Sequence, residues 1–302
     1  MFHHFHNSVH LPAQGSLSAI DFKKMLDWLA KNYSLFSAQE YLERAQKGYL
    51  QHSDICLSFD DGLKSQYDIA LPIMKDLGLT AFFFINSGIF QKEYCFLEIY
   101  RYFRTNSFNK IDDFYYEFFE IVKNYNPILF AKHYSYFINL DYLSLYPFYT
   151  ENDKWFRYIR DQLLTDNQYS NIMKIMFKNK KFDITKSTKN LWINEKELKN
   201  IDKQGHVVGL HSHSHPTQMK KLCKSKQRLE YKNNYEHLSK ILGKHINTMS
   251  HPCGDYNNDT LDILTEMNVD IGFASNMYCN GENSRLTIPR EDQANLQQKA
   301  LL

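Results

Sequence analysis

Two neighbouring aspartates, Asp60 and Asp61, and two histidines four positions apart, His211 and His215, are the side chains here best suited to catalysis. Two imidazoles and one carboxylate make a three-ligand site with open positions, the arrangement of a catalytic zinc or a similar divalent ion. Such an ion brings the pKa of bound water toward neutrality and polarises a carbonyl oxygen. A second carboxylate beside the ligand can take the water's proton. Consecutive side chains point in different directions, so Asp60 and Asp61 can divide these roles. Taken singly the signals are bland: Asp-Asp-Gly is a turn after a strand, and a His-rich pentapeptide is a solvated loop. Their shared context argues otherwise. Asp60 follows the apolar run Ile55–Phe59, His211 follows His206–Leu210, and His251-Pro252-Cys253-Gly254 follows Ile246–Ser250.

These runs read as strands, and helical stretches connect them. Ser18–Tyr33 is expected to be an amphipathic helix, with Ile20, Met25, Leu26 and Leu29 at helical spacing. A polar stretch separates it from the first run. Helix 64–77 and strand 80–85 then complete a βαβ unit, which implies parallel strands and a right-handed crossover. From about 91 to 190 aromatic and charged residues mix without strand alternation, as in Asp113-Phe-Tyr-Tyr-Glu-Phe-Phe-Glu120, and a helical insertion is expected. The pattern resumes with helix 194–203, strand 206–210, helix 224–242, strand 246–250, helix 259–267 and strand 269–275. In a parallel barrel the loops at the carboxyl ends of the strands meet on one face, which would bring the three polar clusters together.

Composition narrows the class. The 302 residues are 43% hydrophobic, with 22 Phe and 21 Tyr, which requires a packed core. A net charge of +2 from 36 basic and 34 acidic side chains gives no electrostatic case for nucleic acid or an anionic membrane. No run has the length of a transmembrane segment. The five cysteines (56, 95, 223, 253 and 279) are odd in number and contain no CxxC pair, as in a reducing compartment. The start, Met-Phe-His-His-Phe-His, lacks the basic and continuously apolar character of a secretory leader. A cytoplasmic location is the expectation. The sequence sets no oligomeric state.

Ser58-Phe-Asp-Asp-Gly62 and His211-Ser-His-Ser-His215 resemble the first two motifs of the polysaccharide deacetylase (NodB-like) family, in the family's order. Ser250-His-Pro-Cys-Gly-Asp-Tyr256 looks like a variant of its third. The resemblance implies Asp60 as general base and Asp61, His211 and His215 as ligands of one divalent ion, with zinc the expected metal. It also implies that Ser212 supports the ligand loop and that the Cys253 amide helps hold the oxyanion. There are departures. Ser250 and His251 stand where the family carries an arginine that braces the catalytic aspartate. The tryptophan-containing fourth motif and the late Leu-x-His segment that supplies the acid are not evident. Arg290, in Ile288-Pro-Arg290, is the candidate to replace the brace, and His251, His4 or His6 the candidates for the acid. His4 is singled out from the N-terminal histidines because Met-Phe-His-His resembles the Tyr-His first strand of divergent members.

The expectation is an α/β chain, a distorted parallel (β/α) barrel of about seven strands forming a single domain over 1–302, interrupted at about 91–190. Its expected activity is metal-dependent removal of an N-acetyl group from an amino sugar or glycan, releasing acetate. Two other outcomes are open: hydrolysis of a non-sugar amide on the same fold, and a degenerate barrel that binds a glycan or partner without turnover.

Overall fold

The computed structural model describes residues 1–93, 95–143, 149–277 and 284–300; Cys279 lies outside them. In chain order the elements are α1 (Ala19–Asn32), β1 (Ser34–Leu35), α2 (Ala38–Lys47), β2 (Asp54–Ile55), β3 (Leu57–Asp60), α3 (Leu71–Asp76) and β4 (Ala81–Ile85). Six helices follow: α4 (Phe96–Asn106), α5 (Ile111–Tyr125), α6 (Pro127–Phe137), α7 (Glu151–Tyr158), α8 (Asp166–Asn179) and α9 (Ile184–Ser187). The chain then runs through α10 (Glu195–Lys203), β5 (Val207–Leu210), α11 (Lys224–Leu242), β6 (Thr248–Ser250), α12 (Asn258–Glu266), β7 (Ile271–Phe273) and α13 (Gln293–Ala300).

Strands β3 to β7 form one parallel sheet in sequence order, the signature of repeated βα crossovers. The expected distorted barrel is thus present, with five strands in the sheet proper. Each edge is extended by a single parallel bridge, Phe2 to Phe59 on β3 and Ile288 to Phe273 on β7. Beyond Ile288 the ladder does not continue: the Arg290 N–H donates to the Asn276 carbonyl at 3.2 Å, and the Ala274 carbonyl accepts from the Arg290 side chain instead. The two flanking segments also meet, since the Gln293 amide donates to the Met1 carbonyl at 3.1 Å.

Side chains alternate across the sheet. Leu57, Phe59, Phe83 and Ile85 belong to the large apolar cluster that includes Phe22, Met25 and Leu26 of α1. Phe82, Phe84, Ile271 and Phe273 pack with Tyr41 and Leu42 in a second cluster. The alternate positions Ser58 and Asp60 therefore share a face with Phe82 and Phe84. At Gly209 a Cβ would stand 2.6 Å from the Phe84 ring and from Thr248 Oγ1, so β5 can lie this close only with glycine there.

Two details depart from the pattern read in the sequence. Ile20 is 69% exposed, and the buried face of α1 is Phe22, Met25, Leu26 and Leu29. The polar stretch after α1 contains a helix, α2, capped by Ser37 and stopped by left-handed Gly48. Only Ala38, Tyr41 and Leu42 of it are buried, too short an apolar stripe to show as a period.

The chain divides into two compact units, Met1–Cys95 with Asn190–Leu302, and Phe96–Lys189. The second is helical and its core is aromatic: Phe103 lies 4.7 Å from Phe177, and Phe156 lies 5.3 Å from Phe114 and 5.0 Å from Phe118. Its helices α7 and α8 start in capping boxes at Thr150 and Thr165. Among the described residues no helix is long and apolar enough to cross a membrane.

Candidate functional site

Asp60 ends β3, and Asp61 follows it with a left-handed backbone (φ 76°) that turns its side chain away from the strand's alternation. His211 follows β5 directly, and the chain then bends through left-handed Ser212 and His215 (φ 58° each). Non-glycine residues occupy this conformation at a cost, so the surrounding contacts must impose it. The result is convergence. Asp61 Oδ1 lies 3.4 Å from His211 Nε2 and 3.2 Å from His215 Nε2, with all three side chains buried.

The tautomer of His211 follows from its other nitrogen. Nδ1 lies 2.9 Å from the Ser250 carbonyl, which can only accept, so Nδ1 carries the proton and in the neutral ring Nε2 presents a lone pair. Asp61 Oδ1 is buried and has no hydrogen-bond donor. Possible ligand atoms of Asp61, His211 and His215 thus meet within 4.8 Å of one another. Two imidazoles and a buried carboxylate at these separations make a donor set that fits a divalent ion. Burial alone would raise the Asp61 carboxyl, but the close His211 and the positive potential of both imidazoles hold it well below the carboxylate range. Burial would likewise lower His211, and the charges of Asp60 and Asp61 raise it instead.

Asp60 is treated differently. Arg290 grips it with both ends of its guanidinium, Nη1 to Oδ1 at 2.8 Å and Nη2 to Oδ2 at 2.7 Å. The remaining donors of Arg290 reach Ser58 Oγ (3.2 Å), Ser250 Oγ (2.6 Å) and the Ala274 carbonyl (2.7 Å). Every N–H of this buried arginine therefore has an acceptor. Ser250 Oγ also donates to Asp60 Oδ2 at 3.2 Å. Burial opposes the charge on Asp60, yet Arg290 outweighs it and keeps the carboxyl far below its ordinary range.

The remaining residues singled out in the sequence are not equivalent. His251 is fully buried, stacks on Tyr256 at 4.3 Å, and donates from Nε2 to the Leu286 carbonyl at 2.9 Å. Burial pushes its pKa down to about 4. A neutral, enclosed ring is poorly suited to deliver a proton. Cys253 sits at the left-handed position (φ 53°) of the turn Pro252–Gly254, its side chain exposed. His6 hydrogen-bonds Ser16 at 2.8 Å. Ser212 Oγ accepts the His215 N–H at 3.2 Å, and His213 contacts Ser87 Oγ (2.9 Å) and Glu93 Oε2 (3.1 Å), away from the cation cluster.

One site residue carried no separate signal. His3 Nε2 lies 3.9 Å from Asp60 Oδ2, and its side chain is 26% exposed. It is held there because Phe2 pairs with Phe59, and because the Gln66 side chain donates both to the His3 carbonyl (2.9 Å) and to the Asp60 carbonyl (2.6 Å). The apolar Phe2 and Phe5 around the histidines are the only hint that this segment joins the sheet edge.

A parallel barrel with paired carboxylates and clustered imidazoles at its strand ends is the arrangement of the carbohydrate deacetylase fold. A family model described as "Polysaccharide deacetylase" matches residues 165–272, which include the His211–His215 loop and the Ser250–Gly254 turn but not Asp60 and Asp61. No curated protein matches the sequence. Among solved structures, IcaB from Ammonifex degensii is 15% identical, with 99% of this chain and 93% of that one covered and a TM-score of 0.56. A Streptococcus pyogenes deacetylase, PplD, in complex with acetate, is 14% identical, with 96% and 88% covered and a TM-score of 0.55. The BpsB deacetylase domain of Bordetella bronchiseptica is 13% identical, with 95% and 92% covered and a TM-score of 0.51. These identities speak to the fold alone. The family match covers about a third of the chain, and with the motifs it makes the chain similar to polysaccharide deacetylases.

Proposed function

We propose that this protein is a metal-dependent deacetylase that removes the N-acetyl group from an amino sugar within a glycan or glycan precursor. The observation that carries the proposal is the meeting of Asp61 Oδ1, His211 Nε2 and His215 Nε2 beside an independently braced carboxylate. These three side chains hold the ion, with zinc the metal favoured by two imidazoles and a carboxylate. When bound, a divalent ion there supplies Lewis acidity to an amide carbonyl and lowers the pKa of water.

The chain's own residues do the rest. Asp60 is ionised throughout the neutral range, and Oδ1, which accepts only from Arg290, keeps a free acceptor direction for the attacking water's proton. Because Arg290 makes Asp60 a weak base, proton transfer must accompany attack rather than precede it. The Cys253 amide is the assigned donor to the oxyanion, by its position in the third motif. His3, partly exposed and beside Asp60, is the imidazole placed to protonate the departing nitrogen. Acetate and a free amine are the products.

The test is acetate release from N-acetylglucosamine oligosaccharides, assayed as purified, after chelation and after zinc restoration. Activity lost to the chelator and regained with zinc is expected. Turnover of non-sugar formamides or ureides with none on any N-acetylated sugar would move the protein to a different amide substrate. Chelator-resistant sugar deacetylation would remove the ion from the account.

A further inference from the structure

The histidine loop is held from behind by one face of a single helix. Glu230 and Asn234 lie one turn apart on α11 and so point the same way. Asn234 Oδ1 accepts the His211 N–H at 2.9 Å, and its Nδ2 donates to the Ile85 carbonyl at 2.9 Å, so one buried amide ties the ends of β4 and β5 together. Glu230 Oε2 accepts the N–H groups of His213 (3.0 Å) and Ser214 (2.8 Å), while Oε1 accepts the Ser214 hydroxyl (2.8 Å). Within five residues this loop contains two left-handed non-glycine positions, Ser212 and His215. Their backbone preference opposes the conformation that brings His215 Nε2 back to Asp61.

We propose that Glu230 and Asn234 are positioning residues that set the cation site, by imposing the left-handed path on which His211 and His215 present their Nε2 atoms to Asp61. The inference rests on the cation-site reading above. Glu230 is the sharper half, because a carboxylate accepting two backbone N–H groups makes charge-assisted bonds that an amide cannot duplicate. Its Oε1 and Oε2 bond the loop at His213 and Ser214, between the two histidine ligands in sequence. It acts through His211 and His215 and touches no reacting atom.

The experiment compares wild type with Glu230→Ala, Glu230→Gln and Asn234→Asp, using Glu236→Gln on the same helix as control. Two readouts are taken: zinc affinity by competition with a chromophoric chelator, and amide hydrogen exchange at His213 and Ser214. Glu230→Ala should weaken zinc binding about 10- to 100-fold, the range for lost outer-shell partners of a metal ligand. It should also unprotect both amides and lower kcat with KM nearly unchanged. Glu230→Gln should fall between, and Asn234→Asp, which keeps the acceptor for His211, should cost less than Glu230→Ala. Glu236→Gln should behave as wild type. Protected His213 and Ser214 amides in Glu230→Ala, or wild-type zinc affinity in that variant, would overturn the proposal. If no chain binds zinc yet the amides open in Glu230→Ala, the brace stands and the cation reading falls.

Discussion

Asp60 and Asp61 are adjacent and both buried, yet they are satisfied in opposite ways. Asp60 is braced: Arg290 donates to both of its oxygens and Ser250 to one. Asp61 turns out of the strand on a positive φ and brings Oδ1 to two imidazole nitrogens with no donor supplied. A buried carboxylate gripped by an arginine is a fixed charge of known direction. One set among imidazole nitrogens with no bond to a donor is suited to hold a cation. The structure thus gives two chemically identical neighbours different surroundings through geometry alone.

The sharpest way to break this comparison is to neutralise Asp60. Asp60→Asn removes the proton acceptor and should lower kcat by about 10³-fold, the middle of the range for general acid–base catalysis. Residual activity near wild type would show that Asp60 is structural. Next in size is Arg290→Ala, which leaves Asp60 buried and unpaired. Urea unfolding should show a loss of about 3–5 kcal/mol at neutral pH, with Arg290→Lys recovering part of it because a lysine cannot fill the forked geometry. The Asp60 carboxyl is depressed in the folded state, so its contribution is complete above its unfolded pKa of about 4. It is lost as pH falls through the still lower folded value, which predicts a narrowing gap between wild type and Arg290→Ala in strong acid.

A smaller effect separates His251 from His211 and His215. Its folded pKa of about 4 lies below the ordinary 6.5, so the unfolded chain binds the extra proton between those values. Stability should therefore fall as pH drops through that window, by on the order of 3 kcal/mol from this residue. His251→Gln, which keeps a donor for Leu286, should flatten the dependence between pH 7 and 4.5. An unchanged slope would mean that His251 is not held neutral.

Much of this was legible in the sequence for physical reasons. The βα alternation announces a parallel barrel because strands buried on both faces must be apolar runs, as Ala81–Ile85 is, and such runs are conspicuous. Asp60, Asp61, His211 and His215 stand out because each group abuts a strand end. Arg290 could be nominated only because the expected arginine is missing from the third motif, and only the structure shows its bonds to Asp60. Other features left no trace. Helix α2 buries too few residues to make a period, and His3 joins the site through a backbone bridge of Phe2. Glu230 and Asn234 look like any polar positions on the charge-rich α11. The family match, 165–272, omits the first aspartates, and the aromatic unit Phe96–Lys189 stands between them and the histidine loop in sequence.

The most direct measurement is the divalent-ion content of purified wild type, Asp60→Asn and Asp61→Asn after zinc loading and desalting. One equivalent should remain on wild type and on Asp60→Asn, and none on Asp61→Asn. Equal retention by Asp60→Asn and Asp61→Asn, or none by wild type, would contradict the division of labour between the two aspartates.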